Sequence, residues 1–360
     1  MADAVRVFVT TDTTSLTMAG IRSVSVRHSF NSPSEATISL DNASGFQQDK
    51  VRRGHELRIV AYPEVRATDT GSSYFVFRGK ITEVEASPHE FRLVATDQFG
   101  LLGNEILTSN PTSVVTNADA ASIIKQIIAE SNYDIAIDQI IGESRVSLSP
   151  GIDLTGKTRL SAIQYVLGQI NVTPVKYRMY GKQASLNVAM ERLPDLDSTT
   201  YTPYIAGRIP RTSAPLDFYP TMIDRVEDDA DLVNFVTVRN QSLGILISEP
   251  QTIPANPIQR MYDESTITDE TQARLFARQI LNQQGFSKIR WIVEGLPNRF
   301  DLKAGDIMQF ASVEGGLAGN QMIFDISWRI NPHGSTMKLE VGRQAPDLVT
   351  AIRFASSLTT

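Results

Sequence analysis

The chain has 360 residues, 41% of them apolar and 21% charged, with a formal charge of −6 and no cysteine. That length accommodates two or three domains with cores of their own, and the balance is that of a globular protein rather than a disordered one. The missing cysteines exclude disulfides, thiolate metal sites, iron–sulfur clusters and cysteine nucleophiles, and the acidic balance supplies none of the basic field that displaces counterions from nucleic acid.

The first hundred residues read as strands. Val5–Thr10, Ile21–Phe30, Glu35–Asp41, Glu56–Tyr62, Tyr74–Glu85 and Phe91–Asp97 are short β-rich runs, several of them alternating apolar with polar residues. Asn31-Ser32-Pro33-Ser34 and Asp41-Asn42-Ala43-Ser44-Gly45 supply turn chemistry between them. An antiparallel barrel or sandwich closes such a set. Around Asn110-Pro111 the pattern changes: Asn117 can cap a helix whose Ile123, Ile124, Ile127 and Ile128 form one stripe, ending near Asn132. A second helix is predicted over Thr158–Gln169, followed by a hairpin of Val175–Tyr180 and Ala184–Met190 around Gly181-Lys182-Gln183.

Leu193–Pro220, rich in Pro, Thr, Ser and Asp, reads as an exposed connection. Strands return at Asn234–Asn240 and Gly244–Ser248, and Pro250, Pro254 and Pro257 then impose an irregular excursion. Thr268-Asp269-Glu270-Thr271 opens a third helix with its buried face at Ala273, Phe276, Ala277, Ile280 and Leu281, stopped by Gly285. Ser287–Leu296, Asp306–Ala311 and a last hairpin, Met322 to Val341, complete the β pattern. The fold class is therefore mainly β with α+β parts. Two antiparallel barrel-type domains, 1–111 and 213–344, flank a middle α+β domain, 112–212; the second barrel carries a helix-containing insertion at about 249–286, and 345–360 form an apolar tail able to dock.

The most informative pattern is a repeat. Val51-Arg52-Arg53-Gly54-His55-Glu56-Leu57-Arg58-Ile59 returns in type as Leu302-Lys303-Ala304-Gly305-Asp306-Ile307-Met308-Gln309-Phe310, and a long hairpin follows each copy. One hairpin turns at Ser87-Pro88-His89-Glu90, the other at Asn331-Pro332-His333-Gly334-Ser335. A duplicated β unit points to ring building, because two similar units per chain let a low-order oligomer imitate a higher symmetry.

Candidate chemistry is sparse. His28, His55, His89 and His333 lack ligand spacing, and no metalloprotease, nucleophile-elbow or phosphate-loop motif occurs. Asp224, Glu227, Asp228, Asp229 and Asp231 read as a solvated acidic turn, since the alternation a calcium loop needs fails at Leu232 and Val233. Gly315-Gly316-Leu317-Ala318-Gly319-Asn320 reads as a hairpin tip, Lys50-Val51-Arg52-Arg53 as a charge-guarded edge strand, and Trp291 and Trp328 as core aromatics. No catalytic, cofactor-binding or metal residue is assigned, and no cofactor is expected. No apolar run approaches membrane-spanning length, and Met1–Arg6 has no leader pattern, so assembly in a cytoplasm without membrane insertion is expected.

Several stretches taken in order resemble the tail hub proteins of contractile phages and related injection machines, including Mu-like and late-control-type hubs and the N-terminal half of type VI secretion spike proteins. Tyr74–Val84 is similar to the family's apolar-x-Gly-x-Ile-x-x-Val strand, Phe91–Leu102 to its basic-x-x-x-Ala-x-Asp…Leu strand, and Asn234–Arg239 to its Asn-x-Val-x-Val strand. Ala273–Leu281 with Leu302-Lys303-Ala304-Gly305-Asp306 resembles its helix and Leu-x-x-Gly-Asp turn. The resemblance implies a homotrimer, each subunit giving two tube-like barrels to a pseudo-six-fold ring that joins a six-fold tail tube to a three-fold spike. The implied partners are the chain itself, the tube, spike and other baseplate proteins, without specific nucleic-acid binding, and the implied location is the virion tail. It implies no catalytic residue. Two other readings are a tail-tip cell-wall hydrolase component, which needs a carboxylate pair flanking a cleft, and a carbohydrate-binding tail-tip protein, which needs Trp291 or Trp328 exposed in a groove.

Overall fold

The structure, a computed structural model, describes residues 4–11, 14–42, 50–62, 73–109, 120–133, 135–141, 154–170, 177–183, 185, 187–193, 204–206, 220–228, 232–263, 267, 269–284, 288–296, 299–310, 317, 319–331 and 334–342. Seven strands come first: β1 (Ala4–Thr10), β2 (Ser15–Thr17), β3 (Ile21–Ser29), β4 (Glu35–Asp41), β5 (Glu56–Tyr62), β6 (Tyr74–Ala86) and β7 (Glu90–Thr96). A short helix α1 (Gln98–Leu101) leads into α2 (Ala120–Ala129), β8 (Ile137–Ile141), α3 (Arg159–Ile170), β9 (Tyr177–Gly181) and β10 (Val188–Arg192). Then follow β11 (Tyr204–Ala206), β12 (Met222–Asp228), β13 (Phe235–Asn240), β14 (Ile245–Glu249), β15 (Gln259–Asp263), α4 (Glu270–Gln284), β16 (Lys288–Leu296), β17 (Ile307–Phe310), β18 (Gly319–Asn331) and β19 (Gly334–Gly342). The protein is mainly β, and its sheets are chiefly antiparallel.

Thirteen strands from both ends of the chain share one sheet, in the order β12-β16-β19-β18-β3-β4-β7-β6-β5-β1-β2, with β17 beside β18 and β11 beside β17. Within it the repeat is written in hydrogen bonds. The run β3-β4-β7-β6-β5 and the run β12-β16-β19-β18-β17 have the same spatial order relative to chain order. Each long hairpin slips register by one residue at the same place, between Ile81 and Glu83 in the first and between Ile323 and Asp325 in the second. Gly54 N–H donates to Ile81 O at 2.8 Å, as Gly305 N–H donates to Ile323 O at 2.7 Å. The turn itself is copied: Arg52 N–H donates to His55 Nδ1 at 3.2 Å, and Lys303 N–H to Asp306 Oδ2 at 2.8 Å.

Alternation explains the packing. β4 buries Ala36, Ile38 and Leu40, β7 buries Phe91, Leu93 and Ala95, and β19 buries Met337, Leu339 and Val341, all in one cluster that also takes Trp328 and Trp291. The two halves therefore share a core. A second cluster packs α2 and α3, through Ile123, Ile124, Ile127, Ile163 and Val166, against Tyr177, Met179, Val188 and Met190 of the three-stranded sheet β8-β10-β9. A third sets Ala273, Ala277 and Ile280 of α4 on Val236, Val238 and Ile247 of the sheet β14-β13-β15. Thus β13 and β14 pair in this small sheet and not in the large one.

Three local readings are corrected. Asp224, Glu227 and Asp228 stand on strand β12 and not in a turn, because seven residues, Met222 to Asp228, pair antiparallel with β16. Lys50–Arg53 is the turn before β5, with Val51 buried at its base, rather than an edge strand. The proline-rich excursion ends in β15, which Asn234 anchors by donating from Nδ2 to Asn256 O and accepting at Oδ1 from Ile258 N–H. Strands β2, β8 and β11 are too short or too weakly patterned to be read from sequence. Asn117, Asp229, Asp231, Gly285, His333, residues 345–360 and, of the glycine loop, Gly315, Gly316 and Ala318 lie outside the described residues, while Gly319 and Asn320 open β18.

The two repeat glycines separate two costs. Both hold a left-handed φ, +88° at Gly54 and +96° at Gly305, but a Cβ at Gly54 meets nothing whereas one at Gly305 would sit 3.0 Å from Arg178 Cδ and 3.1 Å from Leu193 Cδ2. Gly54→Ala should therefore cost only the backbone penalty, about 1–2 kcal/mol, and Gly305→Ala roughly 1–3 kcal/mol beyond that from crowding. Urea denaturation of the two variants checks this; equal losses would show that crowding at Gly305 is relieved without cost.

Candidate functional site

The chain turns out of β3 at Phe30-Asn31-Ser32, and Asn31 takes φ of 53°, a conformation its short polar side chain tolerates. That turn holds the middle unit. Asn31 Nδ2 donates to Tyr177 O at 3.2 Å, Met179 N–H donates to Asn31 Oδ1 at 2.7 Å, and Gln164 Nε2 donates to Asn31 O at 3.1 Å. A single buried asparagine thus serves both the β9 edge and helix α3.

Beside it, Arg178 on β9 reaches into the second repeat. Its guanidinium donates to Glu191 on β10 at 2.7 Å, to Asp306 at 2.7 Å and to Ala304 O at 3.1 Å, with the arginine side chain only 11% exposed. The Tyr180 ring lies between the charges of Arg178 and Lys303, 5.4 and 5.0 Å from its centroid. Burial and the Tyr180 hydroxyl compete at Glu191; the hydrogen bonds from Tyr180 and Arg178 and the arginine charge outweigh burial and hold its pKa below the usual value.

His28 on β3 completes the junction. Its Nε2 lies 2.9 Å from Val76 O and its Nδ1 2.9 Å from Ser34 Oγ, while its ring meets Trp328 edge-on at 5.2 Å. Burial lowers its pKa to about 4, so the ring is neutral at pH 7. The Ser34–His28 pair has the spacing of a nucleophile and its base, but both residues are buried and the second ring nitrogen faces a carbonyl rather than an orienting carboxylate. The crevice beside them, lined by Ser29, Met179, Tyr180, Gln183 and Lys303 among others, has about 20 Å³, room for one water. This arrangement suits a structural joint. Asp97, capping α1 by accepting from Gly100 N–H at 2.9 Å, is also buried, and burial raises its pKa to about 6.

Of the other sequence candidates, His55 and His89 occupy turns, and Asp224, Glu227 and Asp228 stand at positions along strand β12. Among the described residues no group of three or more His, Asp or Glu is placed to hold a metal ion. Among the described residues no helix is long and apolar enough to cross a membrane. Trp328 is wholly buried and Trp291 is 8% exposed, so neither offers a face for sugar stacking. The working groups of the junction, Asn31, Arg178 and Glu191, had no sequence signal beyond a turn residue and alternating charges, because Asn31 and Arg178 meet partners over a hundred residues away.

Two strand edges stand open among the described residues. β12 ends the large sheet, pairing with β16 alone. β6 pairs with β5 only as far as Lys80, so no described strand covers its Thr82–Ala86 edge opposite β7. On β18, the equivalent edge from Asp325 to Ile330 is covered by β3. The inserted unit adds an apolar surface of Leu243, Leu246, Ile253, Ile258 and Met261, each at least 45% exposed.

Removing Arg178 takes the shared cation from two half-buried carboxylates, so Arg178→Ala should lose about 1–3 kcal/mol of stability by urea denaturation; a loss within experimental error would mean that the ion pair is screened. The buried acid and base give opposite pH effects. Between about pH 4 and 6 the unfolded chain binds the His28 proton that the native state refuses, which removes stability on acidification, while native Asp97 keeps a proton the unfolded chain has lost, which removes stability as pH rises. The two slopes offset each other. Asp97→Asn should leave stability falling with acid by roughly 1.4 kcal/mol per pH unit in that window, and His28→Gln should leave it rising with acid by a similar amount. Thermal melts from pH 4 to 6 check both signs.

No protein-family model and no curated protein sequence matches the chain. Solved structures do. The fold is similar to that of the 43 kDa tail protein of prophage MuSo2 from Shewanella oneidensis, with a TM-score of 0.60 and 11% identity over 95% of this chain and 98% of that one. It is similar to a tail protein from Neisseria meningitidis MC58, with a TM-score of 0.63 and 12% identity over 97% and 98% of the two chains. It also resembles an E. coli component of the type VI secretion system described as structurally similar to the T4 bacteriophage tail proteins gp27 and gp5, with a TM-score of 0.50 and 10% identity over 90% of this chain and 74% of that one. The chain has the fold of phage tail proteins.

Proposed function

We propose that this protein is the structural hub of a phage tail or baseplate, a homotrimer whose two repeat units per chain form six similar barrels around a channel. Residues 1–111 and 213–344 are the two tube-like barrels, and 112–212 the middle domain. One face meets the six-fold tail tube and the other a three-fold spike, with other baseplate proteins around them. The hub performs no catalysis; its role is to match two symmetries. The observation that carries the reading is the repeat, two five-strand runs of identical order in one chain, since three copies then present six like units while keeping true three-fold character elsewhere. Similarity to tail proteins over nearly the whole chain supports it.

Light scattering on the purified protein should give three times the 39.7 kDa chain mass, and reconstruction of the assembled particle should place three copies at the tube terminus. Six copies there, or one, would sink the proposal.

A further inference from the structure

The repeat can be followed strand by strand across the sheet. Val84, Leu93, Ile38 and Val24 face one another in turn along β6, β7, β4 and β3. Ile326, Leu339, Val293 and Ile223 do the same along β18, β19, β16 and β12. The rows coincide, so Val84 corresponds to Ile326 and Val24 to Ile223. Inside the chain the repeats are joined where β3 pairs antiparallel with the far half of β18, with Ile326 opposite His28, four residues after Val24. The counterparts of those two strands, β12 and the Thr82–Ala86 part of β6, are the two open edges.

We infer that β12 of one copy pairs antiparallel with Thr82–Ala86 of the next, in the register that β3 and β18 use within a chain. This rests on the trimeric reading above and supplies its seam. Val84 then faces Glu227 of the adjoining copy, Glu85 faces Val226, and Ala86 faces Arg225. The occupant is a second copy of this chain because each open edge is the repeat-equivalent of a strand already seated on the other kind of edge. The contact is head-to-tail, so it propagates in one sense, and with three copies per turn it closes into a ring. Side-chain sizes are exchanged across it: Trp328 faces Val26 inside the chain, whereas Ala86 faces Arg225 between chains.

The two seams differ in charge. Within the chain Asp325 receives hydrogen bonds from Arg27 Nε and Ser29 Oγ, both at 2.6 Å. Between chains the counterparts put Glu83 opposite Asp228 and a valine, Val226, in the place of Arg27. Like charges directly opposite oppose pairing. The interchain seam is therefore the weaker one, and it strengthens as salt screens the carboxylates.

The absence of cysteine makes the test direct. Two double variants are compared, Glu85→Cys with Val226→Cys and Ala86→Cys with Arg225→Cys; successive pairs alternate between the two ladder geometries, so the sulfurs are tried in both. Mild oxidation at about 0.5 M salt should convert either or both to covalent trimers, in several-fold higher yield than in dilute buffer. Mixing protein carrying only Glu85→Cys with protein carrying only Val226→Cys should give covalent dimers, which an intrachain link cannot produce. The off-register pair Glu85→Cys with Asp224→Cys should link poorly. A trimer by light scattering that none of the in-register pairs traps overturns the seam and leaves the trimer standing. A trapped off-register pair overturns the register, and a chain that stays monomeric at every salt overturns seam and trimer together. Covalent rings found at some place other than a tube terminus would keep the seam and remove the hub.

Discussion

The antiparallel pairing of β3 with β18 is the constraint on which the rest of the molecule depends. Six residue pairs, from Asp325–Ser29 to Ile330–Val24, join segments almost 300 positions apart. Loop-closure entropy rises only slowly with separation, so such a span is thermodynamically tolerable even though it slows folding. The return is a common core. Trp328 is wholly buried against His28 and near Phe300, and the Phe30 N–H donates to Phe324 O at the end of the ladder. Without that ladder each half would present an uncovered strand edge and an incomplete apolar face, and the junction built on the Asn31 turn would have nothing to orient it.

The same pairing explains why the two repeats look alike in backbone and unlike in surroundings. Both use a left-handed glycine to start the third strand of the run, yet only Gly305 lies beneath Arg178, Leu193 and Phe30. The second repeat is gripped by the middle unit through an ion pair, while the first is gripped through the amide of Asn31. The ladder geometry is common to the two repeats, and the contacts that break their equivalence lie where the middle unit meets each one.

Much of this was legible in the sequence, and the failures have physical causes. Strands such as β4, β7 and β19 were readable because one buried face imposes a period of two, and the repeat was readable because a glycine forced into positive φ cannot drift. β12 was obscured because acid density signals a turn more loudly than Ile223 and Val226 signal a strand. β15 was obscured because its partner β13 runs parallel to it, which removes the hairpin signature, and prolines intervene. The β3–β18 contact was invisible in kind: alternation tells which face of a strand is buried but not which strand lies beside it. Arg178 was invisible for a related reason, since an arginine on a half-buried strand looks solvated until Glu191 and Asp306 converge on it.

An exposed strand edge with an apolar side is an aggregation hazard, and this sheet keeps two of them. Their side chains show how that is tolerated. Thr82–Ala86 carries Glu83 and Glu85, and β12 carries Asp224, Glu227 and Asp228 around Ile223 and Val226. Acidic residues on both edges disfavour any pairing between them, including pairing in wrong registers, until the charge is screened or offset. Arg92 already partners Glu85 at 2.9 Å and Arg225 partners Glu227 at 3.1 Å, so part of the repulsion is cancelled within each edge. One joint between the like repeats, β3 with β18, is thus made within the chain, and the two open edges that mirror it carry acidic residues in its place.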